Sequence, residues 1–183
     1  WLKTWSHPKN DSAFHRPASA RPTPPENAGR RPVVHVSLGE ARAYCAFQGK
    51  RLPSDIEWQY AAQGADGRAY PWGDDAGNAT VRPALVDGST ECPPRADVDA
   101  HPAGASPFGI FDLVGNVWQY TSEFKDAHTR GVLLRGSANY RPAASAWYFP
   151  QALRNDQHNK YFLMDDSYER ASTVGFRCVK DAP

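Results

Sequence analysis

Two stretches of this chain carry helical periodicity, and both open with the same polar signature. A short apolar run from Pro32 to Val36 ends at Ser37, and Ser37 is followed three residues later by Glu40. A hydroxyl and a carboxylate at that spacing satisfy two orphan N–H groups of a first helical turn reciprocally, so a helix is expected to start there. It would run to about Gln48 and stop at Gly49, with Leu38, Ala41 and Cys45 as an inward stripe. Ser54 and Glu57 repeat the signature, which predicts a tight connection and a second helix ending at Gly64. After Gly64, glycine, proline, aspartate and aromatic residues alternate without a sustained period. In that stretch only Val132–Leu134 and Val174–Val179 read as strands. Before the first helix, residues 6–32 carry six prolines and no period, so residues 1–31 are expected to form an irregular arm. There is no internal repeat.

Composition adds a boundary to this pattern. With 183 residues, 40% apolar and 12% aromatic, the chain can bury a core of its own and is expected to form one globular unit over 32–183. Fourteen glycines and sixteen prolines point to a loop-rich fold with few long elements. Lys plus Arg number 21 against 20 Asp plus Glu, which gives no electrostatic footprint for nucleic acid or an anionic membrane. No apolar run approaches the roughly 18 residues a membrane helix needs. The chain opens at Trp1 without Met or an apolar leader and is expected to be a processed piece; the missing leader says nothing about compartment.

Several blocks in register carry a more specific signal. PVVHVSLGEARAYCAFQGKRLPSDIEWQYAAQG is followed by YPWGDD at Tyr70, FGIFDLVGNVWQYTSEF at Phe108, RGSANY at Arg135 and GFRC at Gly175. In this order, over residues 32–179, they resemble the formylglycine-generating enzyme, or sulfatase-modifying factor, family. The resemblance implies an α+β, coil-rich C-type lectin-like fold of the formylglycine-generating enzyme type, with two helices and small antiparallel sheets. It also implies an N-terminal family region absent from this chain, and a module of a larger polypeptide.

What the resemblance implies for chemistry turns on sulfur. Catalytic relatives hold copper(I) between two thiolates, the soft ligands that ion prefers. The matching places here read Tyr140 and Ser145, so neither copper binding nor cysteine oxidation is expected. Cys45 and Cys178 fall on positions that form a disulfide in some extracytoplasmic relatives; two buried thiols are the other reading. The bridge would place the protein outside the cytoplasm. Cys92 is left over, with nothing in the sequence that sets a base beside it.

The family also implies calcium, at a loop whose oxygen donors here would be Asp112, Gly115, Val117 and Gln119. A second, weaker calcium set would involve Asn78 and Ala79 with an acid near Asp87; Asn78-Ala79-Thr80 is also a glycosylation sequon. Turn residues that satisfy their own backbone are the alternative for these polar groups. Among six histidines, His158 with Asp156 and either His128 or His101 would make a two-His-one-carboxylate iron set of the kind used by non-heme oxidoreductases; surface histidines are the plainer reading.

The family's substrate groove would lie after the RGS turn. Ser137, Tyr140, Trp147, Tyr148 and Arg154 are its candidate ligand contacts, because rigid rings with a guanidinium and nearby amides suit a peptide, a glycan or a protein partner. Consecutive aromatics in extended chain cannot all face inward, although these rings would also serve as core. Trp58, Trp72 and Trp118 belong to the core. Two functions follow: a non-oxidase recognition domain, or an oxidoreductase using non-heme iron or other non-copper chemistry with the help of another domain.

Overall fold

The computed structural model describes residues 28–87, 94–126, 128, 130–141, 151–162 and 170–182. Nearly all of the Pro-rich arm, Cys92, Ser145, Trp147 and Tyr148 lie outside those residues. Helix α1 spans Leu38–Phe47 and α2 spans Asp55–Gln63. Both begin as the sequence predicts: the Ser37 hydroxyl accepts the Glu40 N–H while the Glu40 carboxylate accepts the Ser37 N–H at 2.9 Å, and Ser54 and Glu57 do the same. Gly64 ends α2 at φ +68°, where a side chain would strain the backbone and its Cβ would come within 2.9 Å of Pro107.

Among the described residues six strands follow in chain order: β1 (Val86–Asp87), β2 (Trp118–Phe124), β3 (Gly131–Arg135), β4 (Tyr140–Arg141), β5 (Asn159–Phe162) and β6 (Val174–Phe176). Four of them form one sheet in the order β5-β3-β2-β6, and β1 pairs with β4 separately. The expected sheets were antiparallel; β2–β3 and β3–β5 are, whereas β2–β6 and β1–β4 run parallel. A hairpin forces antiparallel pairing, but β6 and β4 reach their partners through long connections that leave direction free. Expected strand Val174–Val179 stops at Phe176, and Val179 makes only an isolated bridge to Arg51. β2, read from sequence as coil, is one of the sheet's two inner strands.

The core divides in two. The larger cluster joins Leu38, Ala41 and Cys45 of α1 to Trp118, Tyr120, Val132, Leu134 and Val174 of the sheet. A disulfide between Cys45 and Cys178 fastens α1 to the chain just past β6, closing a sequence separation of 133. The smaller cluster gathers Trp58 and Ala62 of α2 against Leu113 and Val114, with Trp72, Ile110 and Leu153 packed on it. Trp58 and Trp118 are buried as expected; Trp72 is half-buried at the rim, its ring stacked on Tyr70.

Candidate functional site

Strand β3 is buried along its whole length and ends by delivering a charge into the interior. The side chain of Arg135 is only 2% exposed. Its Nε and Nη2 grip both carboxylate oxygens of Asp55, Nη2 also donates to Gln59 Oε1 at 3.0 Å, and Nη1 donates to the carbonyls of Asn155 and Gln157 at 2.8 Å each. Every N–H of the guanidinium thereby has an acceptor, and its Cζ lies 5.7 Å from the Trp58 ring centroid. Acid at the first turn of α2 is also where a helix dipole favours it.

The turn that follows is held by contacts that need its odd backbone. Gly136 sits at φ +88°, and a Cβ there would come within 2.2 Å of the Leu113 carbonyl, so only glycine lets the two loops touch. Gly115 N–H donates to the Gly136 carbonyl at 2.7 Å. Ser137, at φ +59°, is fully buried, and its hydroxyl accepts the Ala152 N–H at 2.6 Å. Gln151 Nε2 donates to the Tyr140 carbonyl at 3.1 Å. Residues 135–140 and 151–157 are therefore laced together from both ends.

This geometry sorts the expected ligand contacts. Ser137 lies beneath the surface, where its hydroxyl positions the 151–157 segment and is not open to a ligand. Tyr140 is half-buried on β4, and Arg154 is exposed with its Nε on Asp156 at 3.1 Å. Trp147, Tyr148 and Ser145 lie outside the described residues.

The 112–119 loop is organised around an amide and a guanidinium. Gln119, buried on β2, turns its NH2 toward the carbonyls of Asp112 and Leu113 at 3.0 Å each. Its oxygen accepts from Trp58 Nε1 at 2.9 Å and from Arg177 Nε at 2.6 Å. Both of those partners can only donate, which fixes the orientation of the amide. Arg177 Nη2 reaches the carbonyls of Phe111 and Asp112 at 3.1 and 3.0 Å. Burial pulls the Arg177 guanidinium down to about 10, with the Asp112 charge opposing, so it stays cationic at neutral pH. The Asp112 carboxylate accepts the Asp99 N–H at 2.6 Å.

The side chains expected to donate to calcium carry other hydrogen bonds here. Gln119 presents hydrogen, not oxygen, to the loop carbonyls, and a guanidinium stands against its oxygen. Gly115 occupies a left-handed turn at φ +92° packed on Arg82, and Val117 is buried. In the second set, the Asn78 side-chain oxygen accepts from Thr80 N–H and Oγ at 2.9 and 2.7 Å, and the Asn78 carbonyl accepts from Val81 and Arg82 N–H. Asn78 thus satisfies its own turn, and Ala79 lies exposed within it. Asp156 is paired with Arg154, His158 is exposed, and among the described residues no three His, Cys, Asp or Glu side chains are grouped to hold a metal.

Sequence reasoning missed Asp55, Gln59, Asn155 and Arg177 as the groups that fix these loops. A usable signal existed in one case: Arg135 ends an apolar strand with no exposed flank and so had to find a buried acid.

The chain matches the sulfatase-modifying factor enzyme 1-like domain over residues 3–182. It is 37% identical over 161 residues to the inactive C-alpha-formylglycine-generating enzyme 2 of Bos taurus, covering 82% of this chain and 50% of that protein. It is also 46% identical over 95 residues to the hercynine oxygenase of Mycolicibacterium thermoresistibile, covering 50% of this chain and 20% of that one. Among solved structures it resembles PvdO from Pseudomonas aeruginosa, with a TM-score of 0.62 at 20% identity over 80% of this chain and 60% of that one, a likeness of fold. The chain spans about half the length of the bovine relative. With a family match running almost end to end, this protein belongs to the sulfatase-modifying factor enzyme 1-like family.

Proposed function

We propose that this domain is a non-oxidase member of its family that recognises a peptide, glycan or protein partner, with Tyr140 and Arg154 among the contacts. The carrying observation is a count of sulfur. The chain has three cysteines, and Cys45 and Cys178 are bonded to each other, which leaves Cys92 as the lone thiol. One thiol cannot make the two-thiolate copper(I) site that the family's oxidase chemistry uses, and a phenol and a hydroxyl at positions 140 and 145 are hard, weak substitutes. The bovine relative that is described as inactive lends the reading support. The disulfide suits an oxidising, extracytoplasmic setting. The near-balanced charge argues against nucleic acid and anionic membrane as partners, and among the described residues no helix is long and apolar enough to cross a bilayer.

The test is elemental analysis of the purified protein after copper(I) loading and desalting, run beside mass spectrometry of a cysteine-containing peptide incubated with it in air. Less than a tenth of an equivalent of copper and unchanged peptide are expected. One equivalent of copper, or conversion of the cysteine to formylglycine, overturns the proposal.

A second reading is favoured by the hercynine oxygenase similarity. Here the domain contributes to an oxidoreductase that uses non-heme iron, with Asp156 and His158 as candidate ligands and His128 or His101 beside them. Stoichiometric iron lost on substitution of His158 would select it.

A further inference from the structure

We infer that Arg177 is the resident cation of the Phe111–Gln119 loop, and that this chain holds the loop together without calcium. An ion bridging this loop would need a closing oxygen from Gln119. That amide oxygen has two lone pairs, and both are taken by Trp58 Nε1 and Arg177 Nε. Turning the amide over would aim its NH2 at two obligate donors and leave the Asp112 and Leu113 carbonyls without their hydrogens. Calcium requires six to eight oxygens, so losing the closing ligand is a large deficit. A dication would also meet a guanidinium already within hydrogen-bond distance of the same oxygen.

The fold explains how the guanidinium arrives. In the parallel pairing of β6 with β2, Gly175 is the register partner of Gln119. Arg177, two residues further on, shares its parity and reaches back across the strand end to Gln119 and to the Phe111 and Asp112 carbonyls. Its positive charge is thus shared among three oxygens from three residues. Arginine suits this task because its planar fork reaches several acceptors at once and keeps its charge when buried.

The experiment titrates calcium chloride into the wild-type protein by calorimetry and compares thermal melts in calcium chloride and in EGTA. No saturable heat and superimposable melts are expected. Uptake of about one equivalent, or a melting temperature that rises with calcium, overturns the inference, and this arm needs no variant to fold. Arg177→Gln should melt several degrees below wild type in either medium; a melt unchanged from wild type also overturns it. Gln119→Glu alone should stay indifferent to calcium, because Arg177 pairs the new carboxylate. Gln119→Glu combined with Arg177→Gln should gain a calcium-dependent rise in melting temperature.

Discussion

The two halves of the core solve the same problem with different chemistry. Around α1 and the sheet, eleven buried residues among those described make a continuous apolar cluster, closed by one disulfide. Around α2 four buried apolar residues cluster among the described residues, and charged and amide groups complete the job: Arg135 with Asp55 and Gln59, and Arg177 with Gln119 and Trp58. Apolar burial is non-directional, so the larger half tolerates approximate positions. The smaller half carries the RGS turn and the 112–119 loop, and directional bonds there set where each backbone atom sits. Such networks hold geometry well only when every member is satisfied, and they are costly when one is removed.

The largest effect should come from cutting the covalent closure of the apolar half. Replacing both Cys45 and Cys178 with serine frees a loop of 133 residues, worth about 5 kcal/mol in the chain-entropy picture. Urea unfolding of the double variant against the oxidised wild type measures it. A loss below about 1 kcal/mol would mean that apolar packing alone holds α1 to the sheet.

Next comes the polar half. Arg135→Met strands the Asp55 carboxylate, itself only 13% exposed, and frees the carbonyls of Asn155 and Gln157. Removing one partner of a buried pair costs about 3–5 kcal/mol. Arg135→Lys keeps the charge but loses the fork and should fall between Met and wild type. Equal stability of Arg135→Met and wild type would make the smaller half as apolar in its energetics as the larger one.

Smaller still are the two helix starts, one in each half. Ser37→Ala and Ser54→Ala each remove a capping hydroxyl, at about 1 kcal/mol apiece. Matched urea curves for the pair ask whether the same motif matters equally in an apolar and a polar setting. Near-equal losses are expected, because the bond is local to the first turn; a gap of more than about 1 kcal/mol would show that the surroundings govern it.

Those caps are also where the sequence was most legible. Ser37 and Glu40, like Ser54 and Glu57, are neighbours in the chain and on the helix, so spacing alone determines their partners. The family blocks likewise placed the fold class and the Cys45–Cys178 pair. What spacing could not show was anything set by long-range pairing. β2 escaped notice because both its faces are covered at Trp118–Thr121, which erases the alternation that marks a strand. The parallel direction of β6 depends on a connection whose path no local pattern encodes. Ser137 was expected among the ligand contacts that follow the RGS turn, yet with its backbone left-handed at φ +59° its hydroxyl accepts the Ala152 N–H in the interior. Arg177 lies 58 residues from Gln119, and nothing in GFRC announces that its guanidinium faces inward.

The subtlest difference between the halves is in their response to acid. Glu57, in the α2 cap, is held at about 2 by hydrogen bonds from Arg51 and then from the Ser54 N–H. Burial works to raise Glu40, in the α1 cap, but hydrogen bonds from Arg170 and the Ser37 N–H outweigh it and its carboxyl lies below the ordinary value of 4.5. Both carboxyls therefore bind protons less readily in the folded chain than in the unfolded one. Their stabilisation is fully present above about pH 4.5 and drains away as the pH falls through the folded values, reaching about 2 for Glu57. The Glu57 side chain is 42% exposed and its partner Arg51 44%, so water and salt screen the pair and the gain is small despite the depressed carboxyl. Arg170, at 6%, is largely removed from solvent and holds Glu40 through both carboxylate oxygens. Between pH 4.5 and 3, the loss of stability that Glu57→Gln removes should shrink with added salt more than the loss that Glu40→Gln removes, because the exposed pair is screened and the buried guanidinium is not. Equal salt sensitivity of the two variants' urea curves would mean that shielding from water does not distinguish the two caps.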